Sequence, residues 1–232
     1  MTHMHIPDGI LPVWLWGLGF LVMSLIMSFN LLRLRTMDMK KKIPLLGALS
    51  AAMLVGMSLP TEIILPGYHI NLSVVTGILI GPALGFVAAF IANLILALMG
   101  HGGITVIGLN TLLLGSEAVL GHTFFYFFKR LPYFWRAALA TVLTLFITTL
   151  FLIGFVAMSH LDLELLHHGE EHGHELLSNG SVATFAVLVL SIGAVGWIVE
   201  AAITGVVVKF ISQVKPDMLG HTLHTDRDAT RH

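Results

Sequence analysis

Long apolar runs separated by short polar segments set the pattern of this chain. The first run, Val13 to Leu32, has about 20 residues and is closed by Arg33 and Arg35. At 1.5 Å per residue that length crosses a ~30 Å hydrocarbon core, and no small-residue cleavage site follows it, so it reads as a retained membrane helix. The same reading along the chain predicts helices at about 12–34, 43–59, 71–80, 82–99, 104–128, 134–159 and 182–211. Gly81-Pro82 divides the apolar stretch Leu72 to Met99, because proline removes a backbone donor and clashes with the preceding turn. Ten residues are too few to span a bilayer alone. The 28 residues of the undivided stretch exceed one thickness, so a half-length helix packed inside protein is the preferred reading.

The basic residues test that division, since lysine and arginine collect on the cytoplasmic side. With seven crossings and the N-terminus outside, Arg33, Arg35, Lys40, Lys41, Lys42, Lys129, Arg130, Arg136, Lys209, Lys215, Arg227 and Arg231 all fall inside. Merging the third and fourth helices would move Lys129, Arg130 and Arg136 outside. The expected fold is therefore an all-α integral membrane protein of about seven transmembrane helices, N-terminus outside and C-terminus cytoplasmic. Residues 1–211 would form one membrane domain, with a terminal metal-binding segment at 1–10, a histidine-rich acidic external loop at 160–181 and a cytoplasmic tail at 212–232.

Composition agrees: 56% of residues are apolar, only 11% are charged, and the mean hydropathy is +0.89. The 232 residues include no cysteine, which excludes disulfides and thiolate ligands and leaves nitrogen and oxygen to hold any metal.

Histidine supplies the candidate chemistry. On the predicted topology His3, His5, His69, His101, His160, His167, His168, His172 and His174 face outward, so segments remote in sequence present imidazoles to one membrane face. Imidazole suits zinc, copper, nickel and cobalt far better than magnesium or calcium. A terminus with closely spaced histidines can also offer an amine, a backbone amide and a ring nitrogen together. His69 sits in Pro66-Gly67-Tyr68-His69-Ile70-Asn71, a shaped loop ending at a helix start. His101 lies between glycines, where a turn residue and a ligand are equally good readings. His160 reads as a solvated loop residue. Segment 167–175 mixes imidazoles with carboxylates, and two readings stand: a cation-gathering antenna and a solvated loop.

Met4-His5-Ile6-Pro7-Asp8-Gly9 resembles the N-terminal signature of the CbiM/NikM family, the substrate-specific membrane subunits of cobalt and nickel energy-coupling-factor (ECF) transporters. Gly67-Tyr68-His69 is similar to the family's loop histidine. Gly102-Gly103-Ile104-Thr105 with Gly108-Leu109-Asn110, and Glu200-Ala201-Ala202-Ile203-Thr204-Gly205, resemble two further segments. The resemblance implies high-affinity capture of Ni2+ or Co2+ as the transported substrate, with no permanent cofactor. The metal would be held by a terminal amine, a deprotonated amide and the first imidazole, completed by a loop histidine. Mapped here, the ligands are the Met4 amine, His5 and His69, with His101 and Asn110 as auxiliary groups. Four planar nitrogens suit nickel(II), although copper(II) binds such a set at least as tightly. Pro7-Asp8 resembles nickel-type members more than cobalt-type ones, and the choice stays open.

Met1-Thr2-His3 precedes Met4 and departs from the family pattern, because an internal Met4 has no free amine. Three registers stand: translation from Met4, removal of Met1 to expose the Thr2 amine beside His3, or an intact Met1-Thr2-His3 terminus. The first leaves His5 and His69 as side-chain ligands; in the other two His5 joins His3 or acts as the fourth ligand, so His3, His5 and His69 are the candidate side chains.

Glu117 and Glu200 are ionisable groups inside apolar helices, where charge is costly. Each reads as a helix-to-helix hydrogen bond or as part of a metal path. Glu62 reads as a cation attractor or a solvated helix-end charge. Gly47, Ala48, Ala51 and Ala52 form small-residue pairs that permit close helix approach, either within the chain or, as the resemblance implies, against a partner.

No phosphate-binding Gly-x-x-x-x-Gly-Lys-Ser/Thr loop is present, so ATP hydrolysis would come from partners. The resemblance implies a transmembrane coupling subunit, cytoplasmic ATPase subunits and a small auxiliary membrane subunit, in the inner (cytoplasmic) membrane and with no nucleic acid. The roughly 20 residues after Ile211 are expected to leave no room for a fused auxiliary subunit. Two other classes compete: a histidine-rich membrane metalloenzyme, for which no His-Glu-x-x-His helix is present, and a metal-sensing membrane protein. An enzyme is not the expectation.

Overall fold

The computed structural model of the chain describes residues 12–35, 39–40, 42–59, 69–100, 103–166 and 179–220. Thr2, His3, Met4, His5, Glu62, His101 and the 167–175 segment lie outside the described residues. The regular elements of the described part are all helices: α1 (Val13–Leu34), α2 (Lys42–Ser58), α3 (Ser73–Ile80), α4 (Pro82–Leu98), α5 (Ile107–Phe127), α6 (Tyr133–Leu166), α7 (Asn179–Val214) and the single turn α8 (Asp217–Gly220).

Three helical stretches, Val13–Leu34, Tyr133–Met158 and Ala183–Val214, are long and apolar enough to cross a membrane, and α2 and α4 are shorter apolar helices. Their outward faces are apolar rather than polar. Leu25 and Phe29 of α1 are 64% and 65% exposed, and Ile198 of α7 is 67% exposed. A water-soluble helix would carry charge there; lipid is the solvent these faces match.

Gly81 marks the break between α3 and α4. Its φ of 86° and ψ of 167° lie where only glycine is at ease, and Pro82 then opens α4 with a fixed φ and no orphaned donor. The half-helix α3 is buried at every residue, so no side of it meets lipid. It packs onto α5 so closely that a Cβ at Gly77 would fall onto the Ala118 carbonyl oxygen, while a Cβ at Gly121 would lie 2.6 Å from a Val74 methyl. These pairs place the start of α3 level with the middle of α5. Residues 69–72 therefore enter the bundle as non-helical chain, which is tolerated at such depth only inside protein or along a cavity.

A second close crossing joins α1 to α5, where a Cβ on Gly108 would come within 2.5 Å of the Phe20 nitrogen and one on Gly19 within 2.6 Å of Leu109. At the other end of α5, Tyr126 Oη donates to the Leu219 carbonyl at 2.9 Å. Arg136 stacks there, its guanidinium carbon 3.7 Å from the Phe125 ring centroid, and its Nε donates to the Phe125 carbonyl. Phe134 lies against Gly205. Lys129, Arg130, Arg136, Lys209 and Lys215 thus share one end of the bundle.

Two predicted boundaries change. The expected 160–181 loop is shorter, because α6 continues to Leu166 and α7 begins at Asn179. Leu161-Asp162-Leu163-Glu164-Leu165-Leu166 contains only residues a helix accommodates and no breaker before Gly169. His160 is therefore a helical residue, not a loop one. The expected 212–232 tail starts inside the fold: α7 runs to Val214, Pro216 stops it, and α8 buries Leu219 at 6% exposure.

Candidate metal-handling cavity

A cavity of about 40 Å³, room for about two or three waters, opens between α5, α6, α7 and the chain entering α3. Its polar lining is His69, Asn71, Asn110, Glu117, Thr148 and Thr149, and Leu113, Leu145 and Trp197 are among its apolar walls. His69 and Asn110, two of the sequence-predicted site residues, meet here, joined by Glu117.

The residues are placed by ordinary helix geometry. Asn110 and Glu117 are seven positions apart on α5, two turns on one face, so the cavity extends about 10 Å along that helix. Asn110 is 2% and Glu117 7% exposed. At the head of α5, Asn93 of α4 holds the helix by donating its Nδ2 to the Ile107 carbonyl and to Thr111 Oγ1, both at 3.1 Å.

Polar groups inside a bundle need partners, and here the partners cross between elements. Asn71 Nδ2 donates to Glu117 Oε2 at 2.7 Å, and Thr148 Oγ1 of α6 donates to Glu117 Oε1 at 3.2 Å. The first residues of α3 carry donors that no helical carbonyl accepts. Asn71 Oδ1 accepts from Ser73 N at 2.9 Å, and Glu200 Oε1 of α7 accepts from Leu72 N at 3.2 Å. Leu72 itself sits in the left-handed region at φ 57°. Glu200 is fully buried and interacts electrostatically with Glu117. The two acidic residues thus do more than join helices: they receive the chain that carries His69.

His122, on α5, makes a different contact. Its Nδ1 lies 3.0 Å from the Gly77 carbonyl, which fixes α3 to α5 below the cavity. Among the described residues no group of three or more His, Cys, Asp or Glu side chains is arranged to hold a metal. His69 is the imidazole the described residues bring to the cavity. Gly47, Ala48, Ala51 and Ala52 are elsewhere, all exposed on α2.

Asn71, Thr148, Thr149 and Trp197 were not singled out from sequence. A signal existed for three of them: Thr148-Thr149 interrupts the apolar run of α6, and Asn71 precedes a helix start, where asparagine caps well.

A helical membrane protein built around a small, largely apolar-walled cavity into whose lining one imidazole and one carboxyl group are brought is the class these features define. The CbiM family model, described as the cobalt uptake substrate-specific transmembrane region, matches residues 5–218, and the chain belongs to that family. It is 28% identical over 221 residues to a putative fused nickel transport protein NikMN of Archaeoglobus fulgidus, covering 93% of this chain and 68% of that protein. It is also 28% identical over 221 residues to a putative metal transport protein of Haloquadratum walsbyi, covering 93% of each. Two solved structures share the fold at 22% identity. A transition metal transporter superposes with a TM-score of 0.76 over 98% of this chain and all of that one; a truncated transition metal transporter gives 0.75 over 90% and 99%. Its fold is that of these two solved transporters.

Proposed function

We propose that this protein captures a transition-metal dication, nickel(II) or cobalt(II), with high affinity at the outer face of the cytoplasmic membrane. It would do so as the substrate-binding subunit of an ATP-driven ECF-type uptake transporter. The observation that carries this reading is the cavity that joins His69 to Asn110 in a member of the CbiM family. His69 supplies one nitrogen, and the terminal amine, amide and ring of the segment bearing Thr2, His3, Met4 and His5 supply the others. Asn110 and His101 are auxiliary groups, and Glu62 attracts the cation. The close α1–α5 crossing at Gly19 and Gly108 supports the arrangement, because it ties the helix that follows the terminal segment to the helix that carries Asn110.

Seven membrane crossings, counting the half-helix α3, with the N-terminus outside are the topology we adopt. The gathering of Lys129, Arg130, Arg136, Lys209 and Lys215 at the bundle end away from Asn110 supports it. The partners would be a transmembrane coupling subunit, cytoplasmic ATPase subunits and a small auxiliary membrane subunit. The exposed Gly47, where an added Cβ would meet no other part of the protein within 4 Å beyond its own helix turn, and its exposed alanine neighbours support α2 as the docking helix.

The test is the intact native mass of detergent-purified protein after equimolar exposure to nickel and cobalt. One retained ion, lost in His69→Ala, is the expected result. No retained ion, or several weakly held ions lost together on deletion of residues 167–175, would overturn the reading.

A further inference from the structure

The two buried acidic residues hold the loop of His69 from opposite sides. Glu117 of α5 accepts from the Asn71 side chain, and Glu200 of α7 accepts from the Leu72 backbone. Asn71 works at both ends. Its Nδ2 reaches Glu117, its Oδ1 caps α3 at Ser73 N, and it lies two residues from His69. A side chain fixed at both ends, beside a left-handed Leu72, leaves the backbone between His69 and α3 little freedom.

From this geometry we infer that Asn71, held by Glu117, is a positioning residue for the outer metal site, setting where the His69 imidazole meets the ion. The inference rests on the capture function proposed above. Partners that orient a ligating histidine generally change affinity about 10–100-fold when removed. Here the support acts through the ligand's backbone rather than its second ring nitrogen, and it originates on α5 and α6, since Thr148 orients the other oxygen of Glu117. Any displacement of the His69 loop would break the Asn71–Glu117 and Leu72–Glu200 bonds together and leave two acidic groups without these donors. Metal capture and the packing of α3 against α5 and α7 are in this way one arrangement.

The hydrogen-bond polarity can be reversed without changing shape, which gives a test that simple damage cannot imitate. Asn71→Asp keeps the Ser73 cap but removes the donor to Glu117. Asn71→Asp combined with Glu117→Gln restores a donor and acceptor in exchanged positions, and the carboxamide oxygen then at position 117 still accepts from Thr148. Affinity for nickel chloride and for cobalt chloride is measured by titration calorimetry on the full chain in detergent, and hydrogen exchange of residues 69–73 is measured without metal. Asn71→Asp should bind at least about 10-fold more weakly and exchange faster, and the double variant should return to within about threefold of wild type in both. Thr148→Val, which adds no buried charge, should weaken binding about 10-fold and serves if Asn71→Asp does not fold. Wild-type affinity in Asn71→Asp or in Thr148→Val, or a folded double variant that recovers neither readout, would overturn the inference. Absence of metal binding by the wild type overturns the capture function instead, and the exchange pattern then decides by itself whether Glu117 holds residues 69–73 through Asn71.

Discussion

Asn71 and Glu117, 46 positions apart in sequence, meet at 2.7 Å inside the bundle, where the entering chain of α3 reaches the middle of α5. The contact answers a general problem of membrane interiors. A helix that starts at depth exposes backbone donors to a medium with no water, and each must be satisfied by protein. Asn71 and Glu200 supply two of the required acceptors, and Glu117 fixes one of the suppliers.

Glu200→Leu should leave the Leu72 amide without its acceptor, because leucine fills similar space but accepts nothing. An unsatisfied buried donor costs about 1–3 kcal/mol. The expected result is a lower thermal midpoint in detergent, with accelerated hydrogen exchange confined first to residues 69–76. Wild-type exchange there would mean that the Glu200 bond contributes nothing to the start of α3.

Gly77→Ala should be far more damaging than Gly47→Ala, although both glycines lie in helices. At Gly77 the added carbon falls onto the Ala118 backbone, and overpacking of this kind costs about 1–3 kcal/mol or more. At Gly47 it enters open space, and alanine is the better helix former by about 1 kcal/mol. Comparing thermal midpoints of the two variants checks the order, and equal midpoints would contradict the close α3–α5 packing.

Arg136→Lys should destabilise the basic end of the bundle without touching metal affinity. The guanidinium lies 3.7 Å from the Phe125 ring centroid and 5.0 Å from that of Tyr126, and it donates to the Phe125 carbonyl. Lysine cannot stack in the plane that arginine uses, and a loss of about 0.5–2 kcal/mol is expected from the cation–π contact. Thermal unfolding followed by nickel titration of the folded fraction separates the two effects.

Ala51→Leu should weaken assembly with the proposed coupling subunit while sparing metal capture. The residue is exposed on α2, which contributes no residue to the cavity lining, so a larger side chain there meets what docks from outside. Unchanged co-purification with the coupling subunit would remove α2 as the docking helix.

Much of the helical architecture is legible in local pattern. Gly81-Pro82 announces a break wherever it stands, since the constraint lies in the two residues themselves. The apolar runs of α1, α6 and α7 are equally plain. The ends of α6 and α7 are less so: whether Leu161 to Leu166 continues a helix depends on cooperative propagation from the preceding turns, which composition does not display. The burial of Leu219 depends on Tyr126, which no local signal connects to it.

The candidate site divides in the same way. His69 and Asn110 are visible because their motifs are local. Glu117 and Glu200 are visible as acidic residues in apolar helices, but their partners are not. That Glu117 takes Asn71 and Thr148, and that Glu200 takes Leu72, follows from the depth at which α3 begins, and that depth is set by Gly77 against Ala118 and Gly121 against Val74.

By itself the sequence determined that this is a helical membrane protein whose donor groups are nitrogen and oxygen rather than thiolate, because hydropathy, helix breakers and residue chemistry act within a turn or two of chain. Only the tertiary structure decided that the His69 loop is held inside the bundle by two acidic residues from α5 and α7. That outcome depends on how closely backbones approach one another, a property of pairs of segments that neither segment carries alone.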